Sequence, residues 1–221
     1  MSNAYKYPED FNVSAYETVQ SRVGPLQKAY PVAYEQYAGA WNAVRYRLRS
    51  CVEHDQAFVE SIRRAGVAPE TEERYFQERE LYGFFTTGLS TIESFYYALY
   101  AIGAMVDPKN FSITTAQDLK GIKPRLTAEK FARHFSAESI VSELKRVLSD
   151  PVYDEWKTIR DILAHRASPG RSFCPGDSLI AVWKAGPFID TQTTALKREW
   201  LAQNLKGLLK EADLFTANRL C

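Results

Sequence analysis

Three residues able to move a proton or hold a phosphate lie close together in the segment RDILAH: Arg160, Asp161 and His165. A histidine accepts or donates protons near neutral pH, and a guanidinium binds phosphate oxygens through paired hydrogen bonds. This combination suits cleavage of an RNA phosphodiester without a metal ion. His165 would act as general acid or base, and Arg160 would stabilise the charge of the transition state.

The spacing within RDILAH limits how these side chains meet. Positions five residues apart on an α-helix are separated by about 140° around its axis, so Arg160 and His165 do not share a face. Asp161 precedes His165 by four residues and does share its face, where it can fix the imidazole tautomer. Arg160 and His165 therefore converge only if the helix frays or ends near His165, or if a second copy of the chain completes the site.

A purely structural interpretation of RDILAH stays open beside the chemical one. Basic side chains in a last helical turn interact favourably with exposed carbonyl groups and the helix dipole, by about 0.3 to 1 kcal/mol each. Serine, proline and glycine follow at 168–170 and predict the end of the helix. Arg160 and His165 can thus be explained as the basic end of a helix.

Charge is distributed unevenly along a nearly neutral chain. The 221 residues carry a formal net charge of +1, so the field of the whole molecule does not attract nucleic acid. Over 157–171, however, four basic residues face one acidic residue, which gives this segment a net charge of +3. We therefore predict a local basic patch in which Lys157, Arg166 and Arg171 bind RNA phosphate.

Hydrophobic periodicity predicts the helices that position RDILAH. Apolar residues recur at intervals of three and four over 30–65 and again over 69–106, which predicts two long antiparallel helices. Residues 84–106 are long enough to cross a bilayer, but Glu93 and several hydroxyl side chains interrupt them. We therefore expect 84–106 to be a buried helix of a bundle.

Further helices are expected in the second half of the chain. Thr127 and Ser136 are the predicted N-caps of two shorter helices. Pro151 is predicted to begin the helix that carries RDILAH, and a closing helix is predicted over about 191–217. The segment between these two helices reads as a loop, in which 179–183 is either loop or a short strand.

Composition bounds the fold class and the compartment. With 45% hydrophobic and 25% charged residues, the sequence is typical of a folded globular protein. The periodicity then predicts an all-α fold, a bundle of four to five helices forming one domain over 1–221.

The cysteines are odd in number and widely spaced, at Cys51, Cys174 and Cys221, which predicts neither a disulfide framework nor a zinc site. We expect a reducing compartment, with the cytoplasm as the default, because the N-terminus lacks a secretory pattern.

RDILAH resembles the motif of Arg, a polar residue, a few apolar residues and His that marks the HEPN superfamily (higher eukaryotes and prokaryotes nucleotide-binding), a set of all-α bundles. The resemblance covers about residues 151–171, and Glu93 looks like the acidic position of the family's second helix. It implies a homodimer in which two motifs face each other across a two-fold axis. By this resemblance, Arg160 and His165 are the catalytic pair and Asp161 is the supporting polar residue.

Two function classes follow from this resemblance. Many members look like endoribonucleases of toxin–antitoxin, defence or RNA-processing systems that need no metal or other cofactor. Others are thought to be non-catalytic interaction proteins or nucleotide binders. The resemblance therefore implies either a ribonuclease, with a possible antitoxin-like partner, or a non-catalytic protein on the same scaffold; cleavage of single-stranded RNA in the presence of a chelator separates them.

Other candidate residues carry weaker signals. His54 and His134 have no Glu or His at metal-ligand spacing, so we interpret both as half-buried histidines with structural roles. Arg45 and Arg49 share a helix face beside Tyr46, as either a solvated surface or an RNA contact. The aromatic run at 95–100 is expected in the bundle core and dimer surface rather than as a platform for stacking bases. No motif of the common hydrolase, NTPase or dinucleotide-binding classes is present.

Overall fold

The chain is mainly helical in a computed structural model, which describes residues 6–165, 171–173, 181–183 and 189–220. The helices are α1 (Val13–Val23), α2 (Pro31–Ala65), α3 (Thr71–Val106), α4 (Ala116–Gly121), α5 (Pro124–His134), α6 (Ile140–Ser149), α7 (Pro151–His165) and α8 (Thr191–Leu220), with a 3-10 turn at Gly24–Gln27. Strands β1 (Arg171–Phe173) and β2 (Ala181–Trp183) pair antiparallel. The helical class is therefore confirmed, whereas its HEPN-like arrangement stays a prediction.

The short elements differ from the prediction. The described ranges hold eight α-helices, where four to five were predicted. Thr127 is not an N-cap: it lies inside α5, where its buried hydroxyl donates a hydrogen bond to the Tyr96 carbonyl at 3.2 Å. Ser136 is not an N-cap either, because α6 begins at Ile140. Within 179–183, residues 181–183 form β2, paired with a strand that the sequence did not indicate.

The chain divides into two compact units. Unit 1 contains 1–46, 91–150 and 202–221, and unit 2 contains 47–90 and 151–201. The predicted single domain over all residues stays a prediction. No helix in the described ranges has the length and apolar character needed to cross a membrane.

The antiparallel course of α2 and α3 is visible inside each unit. In unit 2, Ser61 Oγ lies 2.6 Å from Glu73 Oε1, while Arg47, earlier on α2, reaches the carbonyl of Ser90, later on α3. In unit 1, the Tyr97 hydroxyl donates to Gln36 Oε1 at 2.8 Å. The predicted antiparallel pairing of the long helices is therefore confirmed.

Unit 1 has an aromatic core. Phe111, Phe131, Phe135 and Phe215 contact one another with ring centroids 5.1 to 5.6 Å apart. The aromatic run at 95–100 belongs to this unit, and its Phe95, Tyr96 and Tyr100 are buried as expected.

Unit 2 is organised around Trp156, which joins α7 to α3. Its indole lies 5.1 Å from the ring centroids of both Phe84 and Phe85. A Cβ at Gly88 would lie only 2.4 Å from the indole, so the absence of a side chain at 88 permits this close approach. The beginning of 84–106 is therefore the buried helix that was expected, and it fixes the helix that carries RDILAH.

Candidate functional site

RDILAH forms the last two turns of α7, which begins at Pro151 and ends at His165 as predicted. Trp156 is 1% exposed, and this buried ring anchors the helix one turn before Arg160. The side chain of Arg160 is 26% exposed, so it is half-buried at the edge of unit 2. The guanidinium is therefore only partly open to solvent.

Arg160 forms an ion pair with the next residue of α7. Its Nε atom lies 2.9 Å from Asp161 Oδ1 without the alignment of a hydrogen bond to it, and the Asp161 side chain is 52% exposed. The sequence suggested that Asp161 supports His165, but the contact observed here is with Arg160. The side chain of His165 lies outside the described part of the chain, so the contact between Asp161 and His165 stays a prediction.

The described geometry narrows how Arg160 and His165 can meet. Helical backbone continues through His165, so fraying before this residue is not observed. On a continuous helix these two positions differ by about 140° around the axis. The helix ends at His165, so convergence at the helix end and completion of the site by a second copy both stay predictions.

The predicted phosphate-binding residues are covered only in part. Lys157 is exposed on α7, where its Nζ lies 3.6 Å from Asp154 Oδ1 and 5.8 Å from the Tyr153 ring centroid. Arg166 lies outside the described residues, and Arg171 begins β1 with its side chain outside them. The basic patch around RDILAH therefore remains a prediction.

Two cations on α8 are positioned against neighbouring helices of unit 2. Lys197, 7% exposed, pairs with Glu155 of α7. Arg198 Nη1 lies 2.9 Å from Asp55 Oδ2 on α2, and Asp55 is 2% exposed. Burial raises the pKa of Asp55, although Thr194 and Arg198 act in the opposite direction. The start of α8 is thus tied to the helix that carries RDILAH.

His54 belongs to an oriented histidine–carboxylate pair that the sequence did not indicate. Its Nδ1 atom lies 2.7 Å from Glu80 Oε2, and Arg79 lies 2.6 Å from Glu80 Oε1. Burial raises the pKa of Glu80, but hydrogen bonds from His54 and Arg79 outweigh it and lower that pKa overall. A carboxylate held in this way fixes the orientation of the imidazole, as in many proton-transfer sites.

The imidazole of His54 lies flat against the backbone of α3. A Cβ at Gly83 would lie within 2.5 Å of its Cε1 and Nε2 atoms. The His54 side chain is 29% exposed, which confirms the half-buried position predicted for it. His134, also half-buried, lies at the end of α5 with its ring 5.9 Å from that of Phe111.

Cys51 is not available as a nucleophile in this fold. The thiol is buried beside Gly88 and Asp55, and burial together with the Asp55 charge raises its pKa. A thiol reacts as the thiolate, which this environment disfavours. Cys174 and Cys221 lie outside the described residues.

One signal in the sequence does mark a buried functional group. Along α2, Leu48, Cys51, Asp55 and Phe58 follow the three- and four-residue spacing of the buried face. A carboxylate in that series must find a partner, so Asp55 can be identified from spacing alone. Its partner Arg198 and the pairing of His54 with Glu80 join distant parts of the sequence and carry no local signal.

Within the described ranges, no three His, Cys, Asp or Glu side chains lie close enough together to hold a metal ion. Glu93, which resembles the acidic family position, is half-buried on α3 in unit 1, and its role stays a prediction. No family model, curated protein or solved structure matches this chain.

Proposed function

We propose that the protein is a metal-independent endoribonuclease of HEPN type that acts as a homodimer. The observation that supports this best is the arrangement at the end of α7, where Asp161 pairs with a half-buried Arg160 and the helix continues to His165. A half-buried guanidinium at this place supports a role in holding a phosphate group through paired hydrogen bonds.

The proposed reaction needs only side chains and RNA. His165 accepts the proton of the ribose 2′-hydroxyl, and the 2′-oxygen then attacks phosphorus. The bond from phosphorus to the 5′-oxygen breaks, and that oxygen receives a proton from an imidazolium. Arg160 stabilises the extra negative charge on the phosphate oxygens during this exchange. The products are a 2′,3′-cyclic phosphate and a 5′-hydroxyl.

The angle between positions 160 and 165 on an ideal helix supports a site made by two copies. A single helix directs Arg160 and His165 about 140° apart, so one chain does not aim both at one phosphate. In a two-fold dimer, Arg160 of one copy lies opposite His165 of the other, and each site is made by both chains. The phosphates on either side of the cleaved bond are assigned to Lys157, Arg166 and Arg171. An antitoxin-like partner would cover the cleft between the two copies.

Cleavage of labelled single-stranded RNA in the presence of a chelator tests the proposal. Arg160→Ala and His165→Gln should each lower the rate by at least about 100-fold, since acid–base catalysis contributes on that order. Arg125→Ala, on a 91% exposed arginine of α5, and His134→Gln are the matched controls and should cleave like the wild type. If the purified wild type binds RNA or nucleotide without cleaving it, the non-catalytic class of function is correct instead.

A further inference from the structure

A layered arrangement of rings and one guanidinium crosses unit 1 from its core to its surface. The rings of Trp41 and Tyr16 stack with centroids 5.0 Å apart and an interplanar angle of 7°. The guanidinium carbon of Arg45 lies 5.9 Å from the Tyr16 centroid and 5.0 Å from that of Tyr46. The layers therefore follow the order Trp41, Tyr16, Arg45, Tyr46.

Burial falls along this series. Trp41 and Tyr16 are 1% and 0% exposed, Arg45 is half-buried, and Tyr46 is 53% exposed. The inner rings therefore form a rigid base, and Tyr46 is the member of the series most exposed to solvent. An aromatic ring on a rigid base binds a flat ligand with little loss of side-chain entropy.

Arg45 is fixed within the series by a further contact. Its Nη1 atom donates a hydrogen bond to the Tyr7 hydroxyl at 3.3 Å, and the Tyr7 ring stacks on Phe11 with centroids 5.3 Å apart. The positive charge next to Tyr46 is therefore held in place by the N-terminal segment as well as by two rings. A fixed cation beside an exposed ring attracts a ligand that combines a flat aromatic group with negative charge.

We infer that Tyr46 and Arg45 form a binding site for single-stranded RNA outside RDILAH, in which a nucleobase stacks on Tyr46 and a neighbouring phosphate is attracted by Arg45. Single-strand binding proteins combine these two elements, and stacking contributes about 1 to 3 kcal/mol per base. A sugar would stack on the Tyr46 ring but would have no use for the charge of Arg45. A peptide would need backbone groups with which to form hydrogen bonds, and neither side chain offers these. The inference rests on the proposed function only in taking RNA as the ligand class.

Binding of a fluorescently labelled oligouridylate with 2′-O-methyl riboses tests this site, because that probe binds but is not cleaved. Tyr46→Ala should raise Kd by about 5- to 150-fold, whereas Tyr46→Phe, which keeps the ring, should bind like the wild type. Arg45→Met should weaken binding and reduce its dependence on salt. The matched control is Tyr75→Ala, which removes a 63% exposed tyrosine of α3 and should leave Kd unchanged.

The result that overturns the inference is a wild-type Kd for Tyr46→Ala, or equal losses for Tyr46→Ala and Tyr46→Phe. Thermal melting of each variant checks that unit 1 stays folded. The outcome is independent of catalysis, because binding is measured with an uncleavable probe. If binding depends on Tyr46 but the wild type does not cleave RNA, the proposed ribonuclease is overturned and this binding site stands. If the wild type cleaves RNA but binding does not depend on Tyr46, this site is overturned and the ribonuclease stands.

Discussion

His54 Nδ1 lies 2.7 Å from Glu80 Oε2, and this contact joins α2 to α3 within unit 2. Arg79 binds the other carboxylate oxygen, so Glu80, 5% exposed, has a charged or polar partner on each side. Burying a carboxylate is costly unless it is paired in this way. Glu80 therefore has a structural role in unit 2 that can be measured separately from any chemistry at RDILAH.

Glu80→Gln should lower the free energy of unfolding near neutral pH by about 1 to 3 kcal/mol, because it weakens hydrogen bonds to His54 and Arg79. The folded-state pKa of Glu80 is lowered from an ordinary value of 4.5. Its ionised form therefore contributes fully above that value, and the contribution is lost as pH falls through the lower folded-state pKa. Urea titrations of wild type and variant should converge at acidic pH. A difference in unfolding free energy between wild type and variant that stayed the same at every pH would contradict this account. Glu60→Gln, at an exposed glutamate of α2, is the control.

Gly88→Ala should destabilise the protein by about 1 to 3 kcal/mol, because the new Cβ would displace the Trp156 indole that anchors α7. Gly39→Ala is the matched control, since a Cβ at this position in α2 meets nothing within 4 Å. A helical alanine there should stabilise by about 0.5 to 1 kcal/mol. Thermal unfolding monitored by circular dichroism compares the melting temperatures of the two variants. If Gly88→Ala raised the melting temperature, as Gly39→Ala is expected to do, the close approach of Trp156 to position 88 would not determine stability.

Arg198→Met should lower the free energy of unfolding by about 3 to 5 kcal/mol near neutral pH, because it leaves the buried carboxylate of Asp55 without its cation. Burial already raises the pKa of Asp55, and loss of Arg198 raises it further. The cost should therefore shrink as pH falls and Asp55 becomes protonated. Adding Asp55→Asn to Arg198→Met should recover stability, whereas Lys210→Met, on an exposed lysine of α8, should change little.

Asp161→Ala should lower the rate of RNA cleavage about 10-fold without unfolding the protein, because in the proposed site this neighbouring carboxylate helps to hold Arg160 in position. Asp161→Asn keeps a hydrogen-bond acceptor and should lose less. Asp154→Asn, on an exposed aspartate of α7 that lies near Lys157, is the control and should cleave at the wild-type rate. Equal rates for Asp161→Ala and Asp154→Asn would show that the ion pair has no part in positioning Arg160.

The long helices were predictable because their signal is local. Apolar spacing alone indicated α2 and α3 to within about two residues of their observed limits. Short helices depend on tertiary contacts and caps, so their limits were harder to predict. The buried Thr127 shows why: its hydroxyl bonds to the Tyr96 carbonyl, a partner that no N-cap pattern reveals.

The candidate site was predictable only where its parts are neighbours in sequence. The position of RDILAH at the end of α7 follows from helix-ending signals, and the structure confirms it. The contact between Asp161 and Arg160 depends on side-chain packing, which spacing does not determine. The contact between His54 and Glu80 depends on the register in which two long helices pack. Because the two residues lie far apart along the chain, the sequence does not indicate this contact.

The most direct test of the two-copy site is subunit mixing between Arg160→Ala and His165→Gln proteins, unfolded together and refolded as a mixture. If each site takes its arginine from one copy and its histidine from the other, a mixed dimer regains one intact site. An equal mixture should then recover about a quarter of the wild-type cleavage rate, since half of the dimers are mixed and each has one working site of two. A mixture as inactive as its separate components, although mixed dimers form, would contradict the account.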